Sequence, residues 1–178
     1  MSNFNDCMVD IETLGVDVDT PVISIGAVFF DVEKKLLGPT FYMALDVDEQ
    51  IKRGRKPTGS TIKWWLSQAD AAKRVFNEKA KPTAEVLQTF ALWMKANNSK
   101  AHVWGNGSTF DVSIMDHLFK MYGLESPWSY SKVMDLRTFR RFQGKGAKIV
   151  IPGTAHNALD DAVGQAQYVL DHMCESIH

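Results

Sequence analysis

Residues 7–12 read Cys-Met-Val-Asp-Ile-Glu, an apolar run that carries two acids two positions apart. In a β-strand, positions i and i+2 point to the same face. Asp10 and Glu12 would therefore stand side by side. Like charges that close repel, and burying them without a partner is expensive. Any fold for this chain has to resolve that conflict. A strand at a sheet edge would resolve it with water. A divalent cation would resolve it by supplying the opposite charge. The apolar neighbours Met8, Val9 and Ile11 make both faces of the strand look covered, which favours the metal over the edge. A D-x-E pair alone remains a weak signal.

The rest of the chain supplies the frame. Pro21 to Asp31, rich in Val, Ile and Phe, reads as a second strand, and Leu36 to Leu45 as a third. The short link through Glu33, Lys34 and Lys35 suits a hairpin between them, so the chain opens on a three-strand antiparallel meander. Residues 50–60 are basic and punctuated by Gly and Pro, a loop by composition. Ser60 or Thr61 can cap a helix reaching about Phe76, with Ile62, Trp65, Leu66, Ala69 and Ala72 on one face. Thr83 can cap the next helix, to about Ala96, with Val86, Phe90, Trp93 and Met94 inward. His102–Trp104 is a short strand, and Thr109 to Tyr122 a helix that Gly123 stops. A strand near Lys132–Met134 follows, then a brief helix from Asp135. Residues 143–155 read as a mobile loop. The last helix runs from about Ala158 to Cys174, burying Ala162, Ala166, Val169, Leu170 and Met173. A meander followed by alternating helices and strands predicts an α/β fold: a mixed five-stranded sheet flanked by helices.

With 178 residues the chain suits one domain, 1–178, with a full core. No apolar run approaches the ~20 residues needed to cross a bilayer. The N-terminus lacks the pattern of a signal peptide, so the expected compartment is the cytoplasm, with no membrane partner. Cys7 and Cys174 make neither a disulfide framework nor a zinc pattern and read as small buried thiols. A net charge of −1, from 20 basic and 21 acidic residues, argues against coating nucleic acid by bulk charge. It allows an enzyme that holds a few nucleotides. Basic residues cluster at Lys52, Arg53, Arg55 and Lys56, and again at Arg137, Arg140, Arg141, Lys145 and Lys148. Solvated surface is the default reading of both clusters.

Two more places carry chemistry. Asp111 follows a glycine-bearing turn between a strand and a helix. Ser108-x-x-Asp111 has the form of a capping box, which would give the acid to the helix N-terminus. The same turn puts the carboxylate at the C-terminal rim of the sheet, where α/β sites collect. The two readings weigh equally. His156 and Asp161 are five residues apart, ~500° of helix rotation, so within one helix they would face apart. They converge only if His156 sits in the preceding loop and Asp161 one turn into the helix. A loop histidine beside carboxylates can act as a general base near neutral pH. Asp160, rotated ~100° away, reads as the solvated member of the pair.

Asp10-Ile11-Glu12-Thr13, then Asn106-Gly107-Ser108-Thr109-Phe110-Asp111, then His156-Asn157-Ala158-Leu159-Asp160-Asp161 resemble the three motifs of the DEDDh exonucleases. These are the DnaQ-like, ribonuclease T-like enzymes of the ribonuclease H-like superfamily. Each motif alone is weak, but the three in order span about residues 6–173. The resemblance implies a ribonuclease H-like fold and 3′–5′ exonuclease activity on single-stranded nucleic acid, releasing nucleoside 5′-monophosphates. It implies two Mg²⁺ or Mn²⁺ ions per site, which suit an all-oxygen ligand set. Asp10 would bridge both ions. Glu12 and Asp161 would complete the site of the attacking water, Asp111 would support the second ion, and His156 would take the proton. The substrate would meet Thr13, Leu14, Trp64, Asn106 and Phe110. Leu14 would be a wedge, and Phe110 and Trp64 would stack on bases; for Phe110 core packing competes. Trp65, ~100° from Trp64, belongs to the buried stripe.

The Trp64-Trp65 pair and Asp135-Leu136-Arg137 are similar to a group of small bacterial and phage exonucleases. That group includes exoribonucleases that trim adenylate-containing RNA, which favours RNA 3′ ends over DNA. Ribonuclease T-like enzymes commonly dimerise, so a homodimer is a further expectation, with the basic stretch 52–56 serving a partner's active site. Two rival readings stay open on the sequence: a metal-dependent endonuclease of ribonuclease H type, and a non-catalytic nucleic-acid-binding module on the same fold.

Overall fold

The segment Val22–Asp31 is buried at every position, as a strand covered on both faces must be. It is β2 of the computed structural model, which describes residues 4–143 and 148–173. It pairs antiparallel with β1 (Asp6–Thr13) and with β3 (Leu36–Ala44). β1 also pairs in parallel with β4 (His102–Gly105), and β4 with β5 (Val133–Asp135). The sheet order is β3-β2-β1-β4-β5. This is the expected mixed five-stranded sheet, a meander extended by parallel strands. The helices are α1 (Val47–Lys52), α2 (Gly59–Ser67), α3 (Asp70–Lys73), α4 (Thr83–Asn98), α5 (Asp111–Met121), α6 (Leu136–Phe142) and α7 (Ala158–His172). None of the described helices is long and apolar enough to cross a membrane.

The period-2 alternation of β1 sorts its side chains into two layers. Cys7, Val9 and Ile11 enter one core with Phe90 and Met94 of α4 and Met115 and Phe119 of α5. Met8 enters the other, with Ala162, Ala166 and Val169 of α7 and Leu136 of α6. Asp10 and Glu12 share the parity of Met8 and so stand on the α7 side. Gly26, opposite Asp10 in β2, lets α7 come this close. A β-carbon there would overlap the carbonyl of Ala158 and the nitrogen of Leu159. The two faces of β1 are thus covered, and the strand is interior, as its apolar neighbours required.

Several helix expectations need correction. The loop at 50–60 is entered by α1, whose start the composition concealed. Asp46 caps it, accepting from Glu49 N at 3.0 Å. The helix expected to reach Phe76 is broken at Gln68 and Ala69, both extended, and resumes as α3 and a 3₁₀ turn over Arg74–Asn77. The break re-aims the chain so that Trp65, Ala72 and Val75 pack on Ile23, while Ile62 and Leu66 stay exposed. Neither Ser60, Thr61 nor Thr83 is a cap, since the caps are Thr58 and Pro82, without side-chain bonds. Arg55 is not solvated surface. It is 2% exposed, donates Nε to Thr20 O at 2.6 Å and Nη2 to Val18 O at 3.2 Å, and meets His117 Nδ1 at 3.0 Å. These bonds staple the 17–20 turn, so Arg55 has no free face for a phosphate. Cys7 is buried as expected; Cys174, Lys145 and positions 144–147 of the expected loop lie outside the described residues.

Candidate active site

The acids arrive from three elements. β1 delivers Asp10 and Glu12 at its C-terminal end. β4 runs parallel to β1, so its end opens on the same rim, and the turn after Gly105 leads into α5 with Asp111 as first residue. The capping box is not formed: the cap is Phe110, without a side-chain bond, and Asp111 is only 3% exposed. A β-carbon on Gly105 would stand 3.2 Å from the Asp111 carboxylate, so the glycine gives that side chain its room. The turn itself is held from β5 and α6. Asp135 accepts from Ser108 N at 2.6 Å while capping α6 through Thr138 N at 2.7 Å. Arg137 donates to Asn106 O at 3.0 Å.

The third element is the start of α7. Asn157 caps it, its side chain accepting from the nitrogens of Leu159 and Asp160, both at 3.1 Å. His156 lies outside the helix, in the preceding loop, with φ +65°, a left-handed conformation that costs a non-glycine residue energy. Two consecutive carboxylates fix that loop. Asp161 accepts from His156 N at 3.0 Å, and Asp160 accepts from Thr154 N at 2.7 Å. Asp160 is therefore a structural clamp rather than the solvated partner expected of it. Gly153 leaves room beside it, because a β-carbon there would overlap the Asp160 carboxylate in its present position.

Glu12, His156 and Asp161 each offer a ligand atom within 4.8 Å of the others. Asp10 interacts electrostatically with Asp111, Glu12 and Asp161, so the five residues form one cluster. Burial, then repulsion from Asp111, Glu12 and Asp161, holds the Asp10 carboxyl well above the usual carboxylate range. Burial and the charges of Asp161 and Asp111 push Glu12 up to about 8. Burial lifts Asp111 to about 7 against backbone amides of Ile11, Asp111 and Asn106 and the charge of Arg137. Burial also raises Asp161. Among the described residues, none of the four carboxylates forms an ion pair with Lys or Arg. Four mutually repelling carboxylates, Glu12 and Asp111 buried and Asp10 and Asp161 half-buried, without an ion-pair partner among the described residues fit a hard divalent cation.

A cleft of about 530 Å³ opens beside Glu12, lined by Thr13, Val16, Ser60, Trp64, Trp65 and Phe110 among others. Trp64 is 41% exposed on its wall, and its ring meets the His156 imidazole edge-on at 4.8 Å. Trp65 is buried and donates Nε1 to Thr13 O at 2.9 Å. Of the residues expected to meet substrate, Thr13, Trp64 and Phe110 line this cleft. Asn106 sits in the turn before Asp111. Leu14 packs on the Ile23–Trp65 cluster and lines a separate hollow of about 240 Å³. Gln165 was missed, although it lies four residues after Asp161 and so on the same helix face. It is a polar residue in the buried stripe of α7 and donates Nε2 to Asp10 Oδ1 at 2.7 Å.

The family described as the 3′–5′ exoribonuclease Rv2179c-like domain matches residues 5–173. The chain belongs to this family. It is a nuclease and a 3′–5′ exonuclease, as the three motifs implied. No curated protein matches the sequence. Solved structures share the fold of this exoribonuclease domain. The nuclease domain of 3′hExo, a DEDDh family member bound to rAMP, superposes with a TM-score of 0.60 at 16% identity. That match covers 96% of this chain and 92% of that one. A 3′-exonuclease in a structure concerned with 3′-end recognition of histone mRNA stem-loop gives 0.64 at 15% identity over 96% and 82%. The moderately thermophilic exonuclease I of Methylocaldum szegediense gives 0.65 at 16% identity over 93% and 40%. The ribonuclease H-like arrangement expected from the motifs is thus the fold of these exonucleases.

Proposed function

We propose that this exonuclease removes nucleotides one at a time from the 3′ end of single-stranded RNA, with Asp10, Glu12, Asp111, His156 and Asp161 as its catalytic set. The observation that carries the reading is the convergence of Glu12, His156 and Asp161 within 4.8 Å of one another, with Glu12 on the wall of the cleft. Asp10 and Asp111 complete the cluster. The four carboxylates would hold two divalent ions, Mg²⁺ or Mn²⁺, which supply positive charge to the attacking and leaving oxygens.

The protein's own groups do the rest. His156 takes the proton of the attacking water, since imidazole accepts protons near neutral pH. Its backbone bond to Asp161 and its edge contact with Trp64 set the ring's place. Water adds to the phosphorus, the bond to the 3′ oxygen of the preceding nucleotide breaks, and that oxygen takes a proton from solvent water as His156 later returns its own to solvent. The products are a nucleoside 5′-monophosphate and a strand one nucleotide shorter. Trp64 and Phe110 flank the terminal base, and a π-face accepts any base without a sequence code. Thr13 lines the approach, and Asn106 would meet the strand from the turn before Asp111. The match to an exoribonuclease family, and a structural neighbour concerned with an RNA 3′ end, support RNA over DNA. This reading takes residues 1–178 as one exonuclease domain working in the cytoplasm, with a homodimer as its assembly.

A 3′-end degradation panel of RNA and DNA oligonucleotides tests it. Stepwise release of mononucleotides, faster from RNA and abolished by EDTA, is the expected result. Internal cuts would replace it with an endonuclease of ribonuclease H type. Shortening that persists in EDTA would remove the metal from the mechanism.

A further inference from the structure

Gln165 is 4% exposed in the middle of α7, one turn beyond Asp161, among the buried positions of that helix, which include Ala162, Ala166 and Val169. Its Nε2 donates to Asp10 Oδ1 at 2.7 Å. Its Oε1 is buried and has no partner among the described residues. Leaving one amide oxygen unsatisfied in a core is unfavourable, because its water contacts are lost without replacement. A methionine of similar length would fill the same space without that cost. The amide is therefore poorly explained as packing, and its one polar contact is with Asp10.

We infer that Gln165 is a positioning residue for the metal site: it holds one oxygen of Asp10 by hydrogen bond and so fixes the plane in which that carboxylate meets a divalent cation. This rests on the reading of Asp10 as a metal ligand. The geometry gives the effect its direction. A carboxylate with both oxygens free rotates about its last bond, and an ion that binds it must first arrest that rotation. With Oδ1 already engaged, the plane is set before an ion arrives. The donor comes from the same helix face as Asp161, so one rigid element places a ligand and orients another. Partners of metal ligands commonly change metal affinity by ~10–100-fold when removed.

The test is Mn²⁺ titration by calorimetry on the intact, metal-stripped protein without substrate, alongside thermal unfolding in EDTA. Gln165→Met is expected to bind Mn²⁺ ~10–100-fold more weakly than wild type, with Tm in EDTA within a few degrees. Turnover should return towards the wild-type rate as Mn²⁺ is raised, because the carboxylate ligands are all still present. Gln165→Ala, which opens space instead of refilling it, carries the same expectation for Mn²⁺ and guards against a methionine that packs badly. Asp10→Ala separates the two claims. If Asp10→Ala abolishes Mn²⁺ binding while both Gln165 variants bind as wild type, the role of Gln165 is overturned and that of Asp10 stands. If Asp10→Ala itself binds Mn²⁺ as wild type, the reading of Asp10 falls first. A fall in Tm with unchanged Mn²⁺ affinity would make Gln165 a packing residue only.

Discussion

Glu12→Gln should make the metal-free protein more stable at alkaline pH while destroying its activity. Glu12 is buried against Asp161 and Asp111, and its carboxyl is pushed from 4.5 up to about 8. Between those two values the folded protein holds a proton that the unfolded chain has released. Stability therefore falls as pH rises through that window, and the penalty is complete above about pH 8. At ~1.36 kcal/mol per pH unit the rise corresponds to at most about 5 kcal/mol. The repulsion is shared with Asp10, Asp111 and Asp161, so neutralising one carboxylate relieves part of it, on the order of 2 kcal/mol. For a chain of this size that is a gain in Tm of roughly 4–8 °C. The assay is thermal unfolding in EDTA from about pH 5 to about pH 8.5. Wild-type Tm should decline across the range, Glu12→Gln should decline less, and the two curves should meet near the acidic end. Adding Mn²⁺ at the alkaline end should restore wild type by binding the folded state and leave the variant nearly unmoved. If Glu12→Gln is no more stable than wild type at about pH 8.5 in EDTA, the crowded carboxylates are not in electrostatic conflict, and the argument for a cation from charge alone fails.

Other outcomes follow from the same geometry. His156→Ala should lower turnover by ~10²-fold or more with Mn²⁺ affinity nearly kept, since it removes the base and leaves the four carboxylates; steady-state rates at neutral pH and calorimetry read both. Trp64→Ala should raise KM for oligonucleotides and also lower kcat, because the ring lines the cleft and touches His156; an unchanged kcat would uncouple the two roles. Gly26→Ala should cost more than about 3 kcal/mol and most of the activity, because its β-carbon overlaps the start of α7; urea unfolding measures it. Arg55→Ala should cost about 2–4 kcal/mol by unpairing the carbonyls of Thr20 and Val18, with little change in oligonucleotide affinity; a loss of affinity at unchanged stability would return Arg55 to the nucleic-acid face.

The sequence by itself determined the sheet and most of the cluster. Alternation along residues 6–13 and the unbroken apolar run of β2 dictate an interior meander, because side-chain direction in a strand follows position alone. The same rule put Asp10 and Glu12 on one face. Helix rotation lets His156 meet Asp161 only from outside the last helix, and it lies in the preceding loop. What depends on distant residues was illegible. Asp111 read equally as a cap and as a ligand; only the parallel pairing of β4 with β1 brings its carboxylate to the rim, where it makes no cap bond. Asp160 looked solvated until the Thr154 amide met it, and Arg55 looked like surface until the 17–20 turn folded over it. The break at Gln68 left no local mark, since it exists to seat Trp65, Ala72 and Val75 on Ile23. Asp10 and Gln165 are 155 residues apart, and only α7 packing onto Gly26 makes them neighbours. Local periodicity fixes which way a side chain points; the tertiary structure alone decides what it meets there.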